Sequence, residues 1–565
     1  MTKTQALDKA VDDYLSSLSS ASPPSLSDIE PEVLRLTYDE FDLHNAACQK
    51  DERWQKPHFM MPRQIGRVLL ALRDIKVVAL CDDQYDPDYS PLAIYQDSGE
   101  KAGTYTVSEN VIKKLIREVS PYLRGYDAAD TLDWLKINAP IASRCSDPNL
   151  VPVANGIFDY KAKKLLPFSP DLVFLTKSPV AYNPNAQNLV IHNNEDGTDW
   201  DIESWMASLS DDPEIVTLFW QILGACIRPG MAWNKAAWLY SRSGNNGKGT
   251  LCSLMRSMVG PENCASISIE DFANDRDFML EPLVRSSAII VDENNVGAYI
   301  DKSRDLKAVI TGDVIQINRK YKTPITYKFR GFMVQCLNDY PRIKDRTGSF
   351  ARRQLIIPME KCFTGAERKY IKADYLKRPE VLEYALHKVL SMDYDELIAP
   401  KACQEVLDDY RETNDALLQF VEDVFDSLQW SVIPFTFLYA LYKAWVERMN
   451  PSGMKTLPSA RTFQDDILAL MESVPTGFCC PGGKRTKHRF PRKELAKPEP
   501  LIMAYGLTEW MDPVYKGNDP MKRCIPGPNM IPETVRGIRR VGYSSNTKNA
   551  DEAAVSDDDE DSDEV

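Results

Sequence analysis

The stretch SRSGNNGKGT, Ser241 to Thr250, decides the fold class of this chain. A loop that cradles phosphate groups needs inward-pointing backbone N–H groups, a lysine, and the N-terminus of a helix behind it. The apolar run KAAWLY precedes this stretch, and the helical pattern GTLCSLMRSMVG follows Lys248. An ordinary Gly/Asn turn is the alternative, because Arg242 and Gly249 depart from the strict pattern G-x-x-x-x-G-K-[ST]. The order of strand, loop, lysine and helix nevertheless predicts a phosphate-binding loop.

Short apolar runs alternate with helical segments between residues 234 and 361, which is typical of an α/β sheet layer. Near-continuous apolar runs of this length suit strands that are buried on both faces. Four runs are predicted strands: KAAWLY, SAIIVDE, FMVQCLN and QLIIPME. The chain is therefore expected to contain an α/β core.

Two acidic residues end the predicted strand SAIIVDE. An ATPase with a phosphate-binding loop needs an acid at the end of a neighbouring strand, to hold magnesium and to orient water. Asp292 is the expected magnesium-side acid, and Glu293 is the expected general base. The alternative is that the Asp-Glu pair merely ends a buried strand.

Composition excludes several classes of protein. The 565 residues are 43% hydrophobic and 27% charged, as in globular proteins, and are too many for one core. The 12 cysteines form no C-x-x-C pair, and the 5 histidines form no ligand pattern. We find no apolar run long enough to span a bilayer and no signal core at the N-terminus. We expect a soluble, cytoplasmic protein with no membrane partner.

Charge is unevenly distributed along the chain. The formal net charge is -14, but the tail DEAAVSDDDEDSDEV carries 9 acidic groups. Two windows, 314–337 and 484–493, contain five and six Lys/Arg and no Asp/Glu. Such windows can make positive surfaces on an acidic protein, although a solvated face is the commoner meaning.

Several segments together carry a family resemblance. SGNNGKGT, SAIIVDENN, LKAVITGDVIQINRKYKTPITYKF, FMVQCLNDYPRIKD and FARRQLIIP resemble the core of superfamily 3 replicative helicases. The resemblance is closest to the phage and plasmid primase-helicase group related to the poxvirus primase-helicase. It covers about residues 152–473 and implies an AAA+-like P-loop ATPase core that uses ATP and Mg²⁺. The expected nucleotide-binding residues are Gly244, Asn245, Asn246, Gly247, Lys248, Gly249 and Thr250, and the expected metal ligands are Thr250 and Asp292.

The segment between the second and third of these motifs predicts a hairpin. Ile315 and Ile317 alternate with polar residues, as do Ile325, Tyr327 and Phe329, so two strands flank NRKYKTP. The tip residues Arg319, Lys320, Tyr321 and Lys322 suit a phosphate backbone with a ring for sugar or base contact. INRKYK is similar to the DNA-translocating hairpin of the papillomavirus helicase, although Tyr321 stands where that hairpin has histidine. A solvated hairpin is the alternative.

The resemblance implies two further site elements. Asn338, at the end of the strand FMVQCL, matches the family's polar sensor, which positions the attacking water; a simple turn former is the alternative. Arg353, or alternatively Arg352, matches the arginine that reaches the nucleotide of an adjacent subunit. A surface role for both stays open. An arginine finger in trans implies a ring, most simply a hexamer.

The expected organisation has five parts. They are a flexible lead-in (1–60), an N-terminal α+β region with a hairpin at NGIFDYKAKKLLPF and a helix at DWDIESWMASL (61–209), the ATPase domain (210–400), a helical, winged-helix-like domain (401–497), and a loosely ordered segment with the acidic tail (498–565). The wing residues Lys484, Arg485, Lys487 and Arg489 could hold duplex DNA or recruit a primase, and a purely structural wing is the alternative.

The leading functional hypothesis is an ATP-driven replicative DNA helicase of a phage or mobile element in a bacterial host. It would move along single-stranded DNA, with the family's 3′ to 5′ polarity, and would open forks. A primase or single-strand-binding protein is a further expected partner. One alternative is an origin-binding assembly protein that uses ATP as a switch, which would not need Glu293. Another is a primase-helicase with its own priming activity.

Overall fold

The computed structural model describes residues 1–18, 24–81, 89–273, 278–294, 299–300, 303–320, 322–343, 348–414, 416–449, 457–473, 476–481, 489–527 and 530–543. The chain divides into two compact units, Met1–Tyr410 and Arg411–Val565. Within the described ranges, no helix combines the length and the apolar character needed to cross a bilayer.

The first unit begins with helices that pack around a small sheet. The helices are Lys3–Ser17, Ile29–Ala47, Pro62–Leu72, Glu109–Val119 and Gly125–Asn138. The sheet has the strand order Tyr105–Thr106, Leu92–Tyr95, Ile75–Ala79, Ile141–Ser143.

The expectation of a flexible lead-in over residues 1–60 is wrong for two long stretches. The helix Lys3–Ser17 starts with a capping box, in which the Thr2 side chain accepts from the Gln5 N–H and the Gln5 side chain accepts from the Thr2 N–H. This helix and the next one, Ile29–Ala47, bury apolar side chains in a common core with Ile65. The Ser/Pro-rich sequence is only the connection between them.

Short hairpins and two helices lead into the core of the first unit. Leu150–Val153, Gly156–Asp159 and Lys164–Leu166 form an antiparallel sheet, and Ile191–His192 pairs with Asp199–Trp200. The helices Ile202–Ser208 and Pro213–Ile227 follow. The hairpin and the helix predicted in this region are both confirmed.

A five-stranded parallel sheet, here named the core sheet, forms the centre of the unit. Its order is Cys264–Ala265, Ala288–Val291, Phe332–Leu337, Ala236–Tyr240, Gln354–Pro358. All four predicted strands are present, and every pairing is parallel. The short edge strand Cys264–Ala265 was not predicted. The α/β fold class is confirmed.

Both faces of the core sheet are covered, which explains the continuous apolar runs. Ala237 and Leu239 face a layer of three helices, Pro213–Ile227, Lys248–Val259 and Pro379–Ser391. Trp238 and Tyr240 face the opposite layer, which contains the helix Arg304–Thr311 and the antiparallel hairpin Val314–Arg319/Lys322–Lys328. The remaining helices of the region are Ile269–Ala273, Gly348–Ala351, Lys369–Ala373 and Lys401–Asn414, and Tyr299–Ile300 pairs with Arg342–Ile343.

Because the strands are parallel, their carboxyl ends meet at one edge, here named the carboxyl edge. The strand Ala236–Tyr240 lies between two strands that come later in the chain, so the chain leaves this strand at a crevice in the edge. Ligands of open α/β sheets bind in such crevices.

The second unit contains the helices Ala416–Val424, Phe435–Met449, Ala460–Ser473 and Pro500–Ala504. The first three agree with the helical character predicted for residues 401–497. An antiparallel sheet has the order Val432–Pro434, Gly537–Arg540, Phe478–Cys479, and Phe490–Pro491 pairs with Thr534–Val535. Residues 482–488, at the predicted wing, lie outside the described residues, so the winged-helix assignment stays a prediction.

The expectation of loose order over residues 498–565 is wrong for residues 498–527 and 530–543. The strand Gly537–Arg540 is the middle strand of its sheet. Ile502, Trp510 and Ile538 are buried in the same core as the three long helices. The Pro/Gly-rich composition suggested disorder, but its widely spaced apolar residues are core residues.

Candidate functional site

The stretch Ser241–Gly247, here named the phosphate loop, leaves the core sheet at the carboxyl edge and enters the helix Lys248–Val259. Gly247 is the N-cap residue, with φ of 84°, in the left-handed region that favours glycine. A Cβ atom at Gly247 would also lie 2.8 Å from Leu209 Cδ2. Conformation and space therefore both require glycine. Arg242, at the position where the strict pattern has glycine, donates to the Tyr240 hydroxyl at 2.9 Å.

The Lys248 side chain is only 7% exposed and points along the carboxyl edge. Its ammonium donates to Asn338 Oδ1 at 2.8 Å, and to the carbonyl oxygens of Leu337 and Ser241 at 3.1 and 3.2 Å. Burial lowers the pKa of Lys248. Two residues that are far apart in the sequence and were predicted separately, Lys248 and Asn338, are thus in direct contact.

Two asparagines stiffen the phosphate loop. Asn246 is 3% exposed, and its amide donates to the Ser243 carbonyl oxygen at 2.6 Å. The Asn245 amide donates to Glu367 Oε1 at 3.0 Å, and the Asn245 carbonyl accepts from the Phe363 N–H at 2.8 Å. Asn245, expected to contact nucleotide, instead uses its side chain to bind a later segment of the chain.

The acidic turn after Ala288–Val291 is held by its neighbours. Asp292 forms an ion pair of 2.8 Å with Arg256, on the helix that follows the phosphate loop. Asn294 donates to Gln335 Oε1 and to the Cys336 carbonyl oxygen, both at 3.0 Å. Glu293 is exposed between them. In the described part of the chain, no hydrogen bond or ion pair joins either acid to Lys248.

Arg256 and Asn294 are contacts that the sequence reasoning missed. Asn294 stands inside the quoted motif SAIIVDENN, so the signal was present. The partner of Asp292 had no local signal, because Arg256 belongs to a different element.

The residues present fit a magnesium ion held partly by a nucleotide. Mg²⁺ is usually bound by one or two carboxylates plus substrate phosphates and waters, so the carboxylate of Asp292 would be enough as a protein ligand. Thr250, the other expected ligand, lines the cleft beside the phosphate loop. A closed protein cage is not needed, and the described residues contain no group of three or more His, Cys, Asp or Glu that could form one.

Arg352 and Arg353 lie at the opposite, amino edge of the core sheet. The Arg353 carbonyl oxygen accepts from the Ala236 N–H at 2.8 Å, whereas the end of the strand pairs Tyr240 with Pro358. At about 3.3 Å per residue, the two edges of this strand are about 13 Å apart. Arg352 is exposed and Arg353 is half-buried. Neither arginine is beside Lys248 of the same chain.

The predicted basic hairpin is confirmed as a structural element. Ile317 pairs with Ile325, and Arg319 pairs with Lys322. Its base is anchored through Tyr327, whose hydroxyl donates to the Leu283 carbonyl oxygen at 3.0 Å and accepts from Arg144 at 3.2 Å.

The tip of the hairpin is only partly described. Lys320 is exposed and Arg319 is half-buried. Tyr321 and the side chain of Lys322 lie outside the described residues. DNA contact by these four residues therefore stays a prediction.

Of the four predicted wing residues, the structure describes only Arg489. Lys484, Arg485 and Lys487 lie outside the described residues. Arg489 is exposed, and its guanidinium donates to Thr534 Oγ1 at 3.4 Å. Their predicted DNA contact is likewise untested by the geometry.

A cleft of about 720 Å³ opens beside the phosphate loop. Three separate segments line it: residues 199–209, the loop-helix residues Asn245, Gly247, Thr250 and Ser253, and residues 363–377. Its volume is in the range of small-molecule sites in proteins. Trp205, Leu209 and Phe363 supply apolar surface, and Lys369 and Lys372 supply positive charge. The sequence reasoning did not predict this cleft.

Three family models match the chain. "D5 N terminal like" matches residues 39–215, "Poxvirus D5 protein-like" matches residues 412–492, and a family of unknown function, DUF5906, matches residues 239–353. The third match runs from the strand before the phosphate loop to Arg353.

Solved structures with a similar arrangement include an apo A form of the NrS-1 C-terminal region. It is 15% identical, with a TM-score of 0.40, over 84% of this chain and 99% of that chain. A second apo structure of that region, residues 305–718, is 14% identical, with a TM-score of 0.39, over 82% and 99% of the two chains. JCV helicase bound to a thiazolopyridine acetamide is 16% identical, with a TM-score of 0.24, over 39% and 62%.

Proposed function

Because this chain belongs to the D5-like primase-helicase family, we propose that it is an ATP-driven replicative DNA helicase of superfamily 3. The family supports a role in DNA replication. ATP hydrolysis, ring assembly and movement along single-stranded DNA are our proposal. The observation that carries it is the contact between Lys248 and Asn338 at the crevice of the core sheet, with a basic hairpin in the same unit.

The phosphate loop would hold the nucleotide. The Lys248 ammonium would exchange its three protein acceptors for the β- and γ-phosphate oxygens, which carry more negative charge than carbonyl groups. Magnesium bound by Asp292, with the Thr250 hydroxyl as the second expected protein ligand, would neutralise phosphate charge. Glu293 is exposed beside this position and would act as general base for water.

Asn338 would orient that water. It ends the strand next to Ala236–Tyr240 and lies within hydrogen-bond distance of Lys248, so it faces the γ-phosphate end of a nucleotide. Arg353, or Arg352, lies at the far edge of the sheet, where an interaction with its own nucleotide is excluded by distance. An arginine there would serve a neighbouring copy of the chain, which supports a closed ring, most simply a hexamer.

The basic hairpin would grip a single strand of DNA through its backbone. Arg319 and Lys320 are at the turn of a hairpin whose base is fixed by buried isoleucines and Tyr327. Positive side chains on a rigid support bind phosphates without sequence preference. The wing residues of the second unit would contact duplex DNA, and a primase or single-strand-binding protein would be a partner. A phage or plasmid in a bacterial cytoplasm is the proposed source.

The test is ATPase activity with and without single-stranded DNA, alongside unwinding of forks with 3′ or 5′ tails. We expect DNA to stimulate hydrolysis and Lys248→Ala to abolish it. Lys320→Ala should keep basal turnover and lose unwinding, whereas Lys114→Ala, which removes an exposed lysine elsewhere, should behave as wild type. A chain that hydrolyses ATP without response to DNA and opens no fork would instead be a nucleotide-dependent switch.

A further inference from the structure

Lys372 lies directly over the start of the helix that follows the phosphate loop. Its ammonium is 3.6 Å from the position that a Cβ atom of Gly249 would take. Lys372 belongs to the short helix Lys369–Ala373, more than a hundred residues later in the chain. No motif in the sequence points to it.

Lys372 is exposed and adds a positive charge where positive charge is already concentrated. The N-terminus of a helix carries partial positive charge, which disfavours an ammonium group nearby. The buried ammonium of Lys248 adds to that charge. Within the described residues, Lys372 makes no hydrogen bond or ion pair, while Lys361 and Lys388 are paired with Asp211 and Glu203. A bound polyphosphate would neutralise all of this charge together.

The position of Lys372 is related to Gly249, the residue at which the phosphate loop departs from the strict pattern. The strict pattern has Ser or Thr at position 249, where a hydroxyl would contact magnesium. Gly249 has no side chain, and the Lys372 ammonium stands in van der Waals range of the vacant Cβ position. Gly249 therefore gives the Lys372 ammonium room beside the phosphate loop, where an ammonium suits a phosphate oxygen and does not replace a hydroxyl as a magnesium ligand.

The cleft extends from the same place. Lys248 points towards Asn338, which marks the γ-phosphate end of a nucleotide. The cleft lies on the other flank of the helix start, at Thr250 and Ser253. Its volume of about 720 Å³ accommodates a nucleoside, and Trp205 and Phe363 offer ring surfaces.

We propose that Lys372 binds the α- or β-phosphate of a nucleoside triphosphate whose base occupies this cleft. The inference rests on the proposed function, since it assumes a nucleotide in the phosphate loop. Residues 363–377 would then bind nucleotide in cis: Phe363 and Glu367 hold the loop through Asn245, and Lys372 neutralises the phosphates.

The experiment measures the affinity of ATP, ADP and adenosine by competition with a fluorescent ADP analogue. Wild type is compared with Lys372→Gln and with Lys401→Gln, which removes the same charge from an exposed lysine that does not line the cleft. We expect Lys372→Gln to lower the affinities for ATP and ADP about tenfold, which is the size expected for the loss of one charge-assisted phosphate contact. Adenosine affinity, the melting temperature without nucleotide, and the nucleotide affinities of Lys401→Gln should stay as in wild type.

Three results would overturn the inference. They are unchanged ATP affinity in Lys372→Gln, an equal loss of affinity for adenosine, or an equal loss of ATP affinity in Lys401→Gln. In each of these cases a loss of ATP binding in Lys248→Ala would leave the proposed function standing. If wild type binds no nucleotide, the proposed function itself fails.

Discussion

The Lys248 ammonium donates a hydrogen bond of 2.8 Å to the side-chain oxygen of Asn338, across two neighbouring strands of the core sheet. The lysine of the phosphate loop and the polar residue at the next strand end are therefore linked before any nucleotide arrives. A polyphosphate must compete for the same ammonium. On the proposed function, phosphate binding to Lys248 and the release of Asn338 from Lys248 would be one exchange of hydrogen-bond partners.

This contact predicts that two substitutions at position 338 affect different quantities, the turnover rate and the ATP affinity. Asn338→Ala removes the group that would orient water, so we expect kcat to fall about a hundredfold with ATP affinity maintained. Asn338→Asp places a carboxylate against Lys248, so we expect ATP affinity itself to fall. Steady-state ATPase kinetics and equilibrium ATP binding separate the two. Equal losses of affinity in both variants would contradict the role given to Asn338.

The ion pair between Arg256 and Asp292 predicts a change in magnesium dependence. If Asp292 binds the metal, Arg256 competes with it, because both need the same carboxylate. For a partly exposed ion pair, we expect Arg256→Gln to lower the half-saturating Mg²⁺ concentration about two- to fivefold. ATPase activity titrated with Mg²⁺ measures this. Arg285→Gln is a control on a different element, and an unchanged titration for Arg256→Gln would remove Asp292 from the metal site.

The Cys362 thiol offers a chemical probe of the phosphate loop. It is exposed, its sulfur is 3.9 Å from the Gly244 carbonyl oxygen, and hydrogen bonds with Thr364 lower its pKa. A lower pKa means more thiolate near neutral pH, so at pH 7 Cys362 should react with iodoacetamide faster than Cys145, whose pKa is raised by burial. The difference should narrow as the pH rises.

ATP should slow the labelling of Cys362 several-fold and leave Cys145 unchanged. Peptide mass spectrometry follows both sites in one sample. Labelling of Cys362 that ignores ATP would mean that nucleotide does not occupy the loop beside it.

Glu499 tests the order of the C-terminal segment. It is fully buried and accepts from the backbone N–H groups of Gln429 and Trp430 at 2.8 and 3.1 Å. Glu499→Ala leaves these donors without an acceptor, so we expect the second unit to lose about 2–4 kcal/mol of unfolding free energy. Faster hydrogen exchange at residues 429–430 measures the effect. Glu509→Ala, an exposed site, is the control.

The pH dependence at Glu499 has a definite sign. Burial raises the pKa of Glu499 above its usual 4.5 in the folded chain. The folded state then binds the proton more tightly than the unfolded state, so this contribution is present below pH 4.5 and is lost as the pH rises through the folded pKa. Glu499→Gln keeps an acceptor and should remove that dependence.

Local patterns in the sequence were sufficient for much of the fold. The strand Ala236–Tyr240 was found because burial on both faces requires a continuous apolar run, and the hairpin was found because its faces alternate. Composition misled at both ends of the chain. The segment before Pro62 and the segment around Trp510 each bury a few widely spaced apolar residues, which a composition rich in Ser, Pro or Gly conceals.

The candidate site was predictable only where one motif carried it. Lys248, Asp292 and Asn338 each follow a recognisable strand. The Arg256 pair, the cleft and Lys372 depend on segments that are distant in the sequence and meet only through the packing of helices on the core sheet. The periodicity and spacing of residues in the sequence carry no information on contacts between such distant segments.

The strand Phe332–Leu337 joins two parts of the unit in a mechanical sense. Three residues separate its start from the end of the hairpin at Lys328, and it stops directly before Asn338. Gly331 fits this start closely, since a Cβ atom there would lie 2.2 Å from the Ser287 carbonyl oxygen. This strand is hydrogen-bonded to a neighbour on each side, so it would move as one rigid element. A shift of Asn338 at one end would then move the base of the hairpin by a similar distance, because only three residues separate the strand from the hairpin.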